Sequence, residues 1–219
     1  MIKNWFYVQN SLEVQQDIKL SLKETSYKTL DIGGSFNYWS YPEASYLADL
    51  VPVRLAPSDF NPNNITYFNL NIQNENTWGV LLEYVEQHGK FDYIICSHTL
   101  EDIMVPTKLL DLLPKLGKQG YIAIPSKYNE FKFLHGKKYR GNAHHKQIID
   151  IKDSSIIIYP KYSFIEVYPQ TDELLKTAKG EELCIFWEDD IPYRFFAEDR
   201  VFLSDDELIH NFYQEINSN

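Results

Sequence analysis

The run Lys28-Thr29-Leu30-Asp31-Ile32-Gly33-Gly34-Ser35-Phe36-Asn37 passes from apolar residues to an acid, two glycines and then small or polar residues. That composition suits a buried parallel strand breaking into a tight turn, where glycine lets the backbone approach a ligand closely. Twelve residues past Asn37 a second acid, Asp49, closes the short run Ala44-Ser45-Tyr46-Leu47-Ala48. A glycine turn after one strand and a carboxylate after the next can hold a nucleoside, with the glycines beneath it and the carboxylate on the ribose hydroxyls. Ligands of open α/β sheets lie outside the carboxyl ends of the strands. Other candidate strand ends carry Asn71, Ser97 with His98, and Pro125 with Ser126.

Those residues need a sheet to position them, and the pattern supplies one. Apolar spacing predicts a leading helix over 11–25, with Leu12, Val14, Ile18 and Leu22 mostly on one face and Ser11 as its N-cap. Strands follow at about 28–32, 44–48 and 65–70. Between the first two, the short aromatic stretch 35–43 contains Pro42 and suits one turn or an irregular loop. Pro52 and Pro57 exclude regular helix up to residue 58, and 59–64 is a turn cluster. A helix fits 75–88, with Val80, Leu81, Tyr84 and Val85 as its stripe and Gly89 as its stop. The fourth strand, 91–96, is followed by a helix carrying Leu109, Leu110, Leu112, Leu113 and Leu116, and the fifth strand covers 121–124. Strands alternating with helices, and strands almost wholly apolar, predict a doubly wound, mostly parallel sheet covered on both faces. Strand-like runs at 155–159, 164–168 and 183–187 read as antiparallel additions to its edge.

The chain has 219 residues, 44% of them hydrophobic, which fits one domain with a packed core. Its formal net charge of -10 argues against a general nucleic-acid or anionic-membrane partner. Cys96 and Cys184 sit in apolar runs without metal-type spacing and read as buried free thiols. No signal core or membrane-length apolar stretch is visible, so the expectation is a soluble, cytoplasmic protein. Monomer and homodimer both stay open.

Leu30-Asp31-Ile32-Gly33-Gly34-Ser35, Asp49, Asn71, and above all Phe91-Asp92-Tyr93-Ile94-Ile95-Cys96-Ser97-His98-Thr99-Leu100-Glu101-Asp102 together resemble a class I S-adenosylmethionine-dependent methyltransferase. The resemblance covers residues 28–126 and extends more weakly to His144-His145. It implies a Rossmann-like seven-stranded sheet with the last strand inserted antiparallel, S-adenosyl-L-methionine as cofactor, and methyl transfer to an oxygen, nitrogen or carbon. By the same resemblance Asp31 orients the turn and the methionine amino group, while Gly33, Gly34, Ser35 and Phe36 form the turn at the cofactor. Asp49 binds the ribose hydroxyls, Leu50 meets the adenine face, and Asn71 with Ile72 reaches the adenine edge. Ser97 and His98 line the floor beneath the methyl group. The family turn often has three alternating glycines, and here Ser35 and Asn37 replace two of them. The implied division is a cofactor half, 28–126, and an acceptor half, 127–219.

After the fifth strand, Lys127 to Lys146 holds Lys127, Lys132, Lys137, Lys138, Arg140 and Lys146 against one acid, Glu130. Such a run is usually a solvated loop. The sharper reading is an electropositive lid, with Lys127, Lys137, Lys138 and Arg140 binding a small anionic acceptor such as a sugar or nucleotide-sugar hydroxyl. His144 and His145 would project to opposite faces of a strand, so one of them is the candidate general base, with His98 as the lesser candidate. Glu101 and Asp102 read as complements to a helix N-terminus. Metal binding by His98, His144 or His145 with Asp102 or Asp150 is an alternative for sugar O-methylation, but no spacing signature supports it, and no metal is expected. Two rivals remain: a non-catalytic binding protein that kept the fold, motivated by Ser35 and Asn37, and a nicotinamide-dependent oxidoreductase using Asp49. The second lacks a Tyr-x-x-x-Lys pair at a suitable place.

Overall fold

Apolar residues on alternate positions of the central strands divide the core into two halves. Thr29–Ile32 (β2), Tyr93–Ser97 (β5) and Gln119–Pro125 (β6) are buried along nearly their whole length. Leu30, Ile32, Ile94, Cys96, Ile122 and Ile124 face one side, while Ile95, Tyr121 and Ala123 face the other. A strand buried on both faces belongs inside a parallel sheet. The computed structural model describes residues 1–35, 38–51, 65–134, 138–196 and 204–218.

The sheet is completed by Tyr46–Asp49 (β3) and Thr66–Asn69 (β4) on one side, and by Glu182–Glu188 (β9) and Ile2–Val8 (β1) on the other. Its seven strands run in the order β1-β9-β6-β5-β2-β3-β4. The five strands β2 to β6 are mutually parallel, and β9 runs antiparallel to both β6 and β1. This is the Rossmann-like, mostly parallel sheet expected from the sequence. The reversed strand, however, lies inside the sheet, and the edge position belongs to the N-terminal residues 2–8. Those carry only one fully buried side chain, Ile2, so their pattern does not announce a strand.

Helices Leu12–Thr25 (α1), Gly79–His88 (α2) and Pro106–Leu116 (α3) cover the faces. Ile18 and Leu22 of α1 pack against Ile95, Tyr121 and Cys184. Leu109, Leu110, Leu112, Leu113 and Leu116 of α3 are all buried, as the spacing predicts. Each leucine so buried contributes roughly 1.5–3 kcal/mol. The helix expected over 75–88 is split into a 3-10 turn, Glu75–Thr77, and α2, with Gly89 at φ 73° ending it. The side chain of Ser11 takes a hydrogen bond from Gln15 and caps no backbone amide of α1.

The last third departs furthest from expectation. Gln147–Lys152 (β7), Ser155–Pro160 (β8) and Tyr193–Phe195 (β10) make a separate three-stranded sheet instead of extending the first. Its face with Ile149, Ile151, Ile156 and Ile158 joins the core beside α3. Its other face, with Ile148, Ile157 and Tyr159, packs on Lys127–Phe131 (α4) and on Asp205–Asn217 (α6) through Phe212, Tyr213 and Ile216. Residues 164–168 form a 3-10 turn (Ser163–Glu166) leading into Pro169–Leu175 (α5), not a strand. Their apolar residues serve aromatic packing, with the Phe164 ring 5.2 Å from that of Phe212. Cys96 and Cys184 are free and buried. Among the described residues no helix is long and apolar enough to cross a membrane.

Candidate active site

The carboxyl ends of β2, β3, β4 and β5 converge on a cleft of ≈ 170 Å³. Its walls include Gly33, Asp49, Leu50, Asn71, Ile72 and His98, all named by the sequence. They also include Thr99 and Asp102, named there but not as cleft residues, and Gln73 and Ile103, which it did not name. Leu50, Ile72 and Ile103 provide apolar surface. Asp49 is held by two backbone amides, Ser35 N–H to Oδ2 at 3.1 Å and Val51 N–H to Oδ1 at 2.7 Å. Asn71 accepts from the Gln73 amide at 3.0 Å, which fixes the turn after β4.

The glycine turn is built differently from the expectation. A Cβ on Gly33, at φ 79°, would overlap the Thr99 hydroxyl, so this glycine seats the turn against the loop after β5. A Cβ on Gly34 would overlap Asp31 Oδ1. Asp31 itself is 1% exposed, accepts from Ser40 Oγ at 2.5 Å, and has no partner on Oδ1. Burial pushes its carboxyl up to about 7, against the opposing Ser40 bond. Asp31 therefore lies under the turn and outside the cleft lining. Ser35 adopts φ 56°, taking the left-handed conformation that a glycine would take more easily. Ser97 is half-buried, and its Oγ has no hydrogen-bond partner. Phe36, Asn37 and Lys137 lie outside the described residues.

His98 sits between two acids, Nδ1 3.4 Å from Glu101 and Nε2 3.6 Å from Glu182. Hydrogen bonding to Glu101, then to Glu182, raises its pKa to about 10. An imidazolium at neutral pH has no lone pair to accept a proton, so His98 does not fit the role of general base. Glu101 and Asp102 lie in a 3-10 turn, Leu100–Asp102, four residues before α3 begins, rather than capping that helix.

The basic segment turns out to be largely consumed by internal partners. Lys127 is 1% exposed, with Nζ 2.7 Å from Asp150 and 2.6 Å from the Ile216 carbonyl. Arg140 is 3% exposed and donates to the Phe131 carbonyl at 2.7 Å and to Asp172 at 2.9 Å. Lys132 pairs with Glu181 at 2.8 Å. Neither Lys127 nor Arg140 is placed as an exposed anion-binding cation, because an uncompensated buried charge would cost more than a ligand could return. Lys138 and Lys146 are exposed.

His144 and His145 occupy a turn before β7, not a strand, and this reverses the expectation that they diverge. Both face Asp102: its Oδ1 is 3.8 Å from His144 Nε2 and 3.9 Å from His145 Nε2. His145 is buried, and its Nδ1 lies 2.6 Å from Glu130 Oε1. Glu130 is buried too and pairs through Oε2 with Lys161 at 2.6 Å. Glu130 was visible only as the lone acid of a basic run; its burial was not. The backbone bond from Lys146 N–H to the Glu101 carbonyl, 2.7 Å, ties this turn to the loop after β5. His145 also borders a second cleft, of ≈ 400 Å³, with Tyr139, Asn142, Lys146, Lys161 and Tyr162. A further groove of ≈ 390 Å³ between α1 and the β1–β9 edge, lined by Phe6, Ile18, Leu22 and Phe186, brings no such cluster of titratable groups together.

No family model matches the chain, and no curated protein does. Among solved structures it is similar to the methyltransferase domain of bacterial CtHen1, at 9% identity, TM-score 0.44, over 82% of this chain and 99% of that one. It is similar to the N-terminal domain of EvdMO1, crystallised in the presence of SAH and D-fucose, at 11% identity, TM-score 0.40, over 81% of this chain and 82% of that one. A cyclopropane-fatty-acyl-phospholipid synthase-like protein from Lactobacillus casei aligns at 14% identity, TM-score 0.35, over 52% of this chain and 49% of that one. Likenesses this distant assign neither reaction nor substrate, which must come from the site.

Proposed function

We propose that the chain is an S-adenosylmethionine-dependent methyltransferase that methylates a hydroxyl of a small, anionic acceptor such as a sugar or nucleotide sugar. One observation carries this reading: Asp102 lines the strand-end cleft, His145 lines the second, and the two side chains lie 3.9 Å apart. A transferase needs two binding sites that reach one point, and this pair is the proposed point.

The residues of the first cleft fit a nucleoside. Asp49 has carboxylate lone pairs beyond the two that its backbone partners use, enough to accept from ribose hydroxyls. Leu50, Ile72 and Ile103 supply apolar walls for a planar base. A nucleoside in this cleft would leave the cofactor's reacting end near His98 and Asp102. When bound, the cofactor supplies an electrophilic methyl group on sulfur.

The acceptor lies in the second cleft, where exposed Lys146 would answer its negative charge. Glu130 fixes the His145 ring so that Nε2 faces Asp102, and without a bound cation that nitrogen takes the acceptor's proton. Residues 28–126 thus hold the cofactor and 127–219 the acceptor. Calorimetry with S-adenosylhomocysteine tests the first half. Saturable micromolar binding is expected, and no heat up to millimolar ligand would refute the assignment.

A further inference from the structure

The Asp102 side chain is 42% exposed, but its Oδ1 is buried and has no hydrogen-bond partner among the described residues. A carboxylate oxygen turned inward toward two imidazoles without a donor calls for an explanation. One ligand-type atom from each of Asp102, His144 and His145 lies within 4.8 Å of the others. The tautomer of His145 is set from behind. Glu130, accepting at Nδ1, turns Nε2 toward Asp102, while Lys161 holds the other Glu130 oxygen at 2.6 Å. A carboxylate bonded to the remote nitrogen of an imidazole is the arrangement that orients metal-ligating histidines.

We propose that Asp102, His144 and His145 bind one divalent transition-metal ion, and that this ion takes the acceptor hydroxyl as a further ligand. Two nitrogens and one oxygen suit Mn²⁺, Fe²⁺, Co²⁺ or Zn²⁺ better than Ca²⁺. Ligand distances of about 2.0–2.2 Å place tetrahedral donors roughly 3.4 Å apart. The separations of 3.8 and 3.9 Å from Asp102 Oδ1 therefore close by a few tenths of an ångström. His144, with a side chain 68% exposed, has the freedom to make that adjustment. Three protein donors leave coordination positions open, which is how catalytic sites differ from structural ones.

The ion's part in the reaction rests on the methyltransferase reading; its binding does not. A divalent cation lowers the pKa of a hydroxyl bound to it, so the proton comes off more readily than from the free alcohol. That proton leaves to solvent water, because with the ion present both Nε2 lone pairs are committed to it. The oxygen's pair forms the new O–CH₃ bond, and the pair of the breaking CH₃–S bond stays on sulfur, giving a neutral thioether.

The test titrates the full chain with Co²⁺ by visible absorption and with S-adenosylhomocysteine by calorimetry. One Co²⁺ per chain is expected, bound at least tenfold more weakly by Asp102→Asn and His144→Ala. An unchanged thermal midpoint checks that the exposed His144 can be truncated without unfolding. His210→Ala, at an exposed position on α6, should bind like the wild type. Absence of saturable Co²⁺ binding, or equal affinity in all four proteins, overturns the proposal. S-adenosylhomocysteine binding without Co²⁺ binding removes the ion alone. The ion supported by lost affinity in both variants, with no nucleoside binding, removes the cofactor reading alone.

Discussion

Two buried lysine–carboxylate networks lie on α4 and the second sheet, and they end differently. In one, Lys127 pairs with Asp150, which also accepts from the Tyr7 hydroxyl, and the lysine's remaining bond goes to the Ile216 carbonyl. Every arm of that network closes on the protein itself. In the other, Lys161 pairs with Glu130, and Glu130 holds His145, whose far nitrogen opens toward Asp102 and the two clefts. The same residue types thus make a fastener in one place and an aimed side chain in the other. What separates them is whether the chain of hydrogen bonds terminates inside or at a surface.

This contrast breaks if the first network matters to turnover or the second only to folding. Lys127→Ala strands the Asp150 carboxylate and should cost about 3–5 kcal/mol. Urea denaturation should show that loss, with cofactor affinity of the remaining folded protein unchanged. A third buried carboxyl gives a comparable effect through pH. Asp31 ionises near 3.8 when unfolded and about 7 when folded, so its contribution to stability is complete below pH 4 and is lost as pH rises through 7. The shift corresponds to about 4 kcal/mol. Asp31→Asn should remove this slope, read as the wild-type-minus-variant difference in denaturation midpoint between pH 4 and 8.

Glu130→Gln is the sharper probe of the second network. Losing the orienting carboxylate should lower turnover or metal affinity by about 10–100-fold. The cofactor's affinity, measured by calorimetry, should stay within about twofold of wild type, since the carboxylate contacts only the His145 side of the site. Asp49→Ala should do the converse, weakening S-adenosylhomocysteine roughly tenfold, one charge-assisted hydrogen-bonding group being worth about 1.5 kcal/mol or more. The smallest effect is expected at His98. Its raised pKa means a stabilisation present below pH 6.5 and lost as pH rises through about 10. Its side chain is 44% exposed, so solvent screening holds the loss in His98→Gln under about 1 kcal/mol, detectable as a flatter alkaline limb of the stability curve.

The cleft was largely legible in the sequence because topology does the assembling. Once β2, β3, β4 and β5 are parallel neighbours, residues just past their ends must meet, so Asp49 and Asn71 follow from the strand pattern, and Leu50 and Ile72 from the family resemblance. The Glu130–His145–Asp102 arrangement was not legible, since it joins segments whose meeting depends on a second sheet. That sheet was hidden because β7 directly follows the charged turn and β10 has three residues. Lys127 and Arg140 misled for a related reason. Charge in a sequence suggests solvent, and nothing local reveals that an Asp150 or a Phe131 carbonyl waits in the interior.

The N-terminal strand has a consequence for synthesis. Among the described residues β1 pairs only with β9, Ile2 opposite Trp187 and Val8 opposite Glu182. Its partner emerges from the ribosome after most of the chain has been made, and until then both β1 and the outer edge of β6 stand unpaired. Long-range pairings of this kind slow folding and leave strand edges exposed to other chains meanwhile. The last strand of the main sheet to be translated thus completes the sheet on both sides at once.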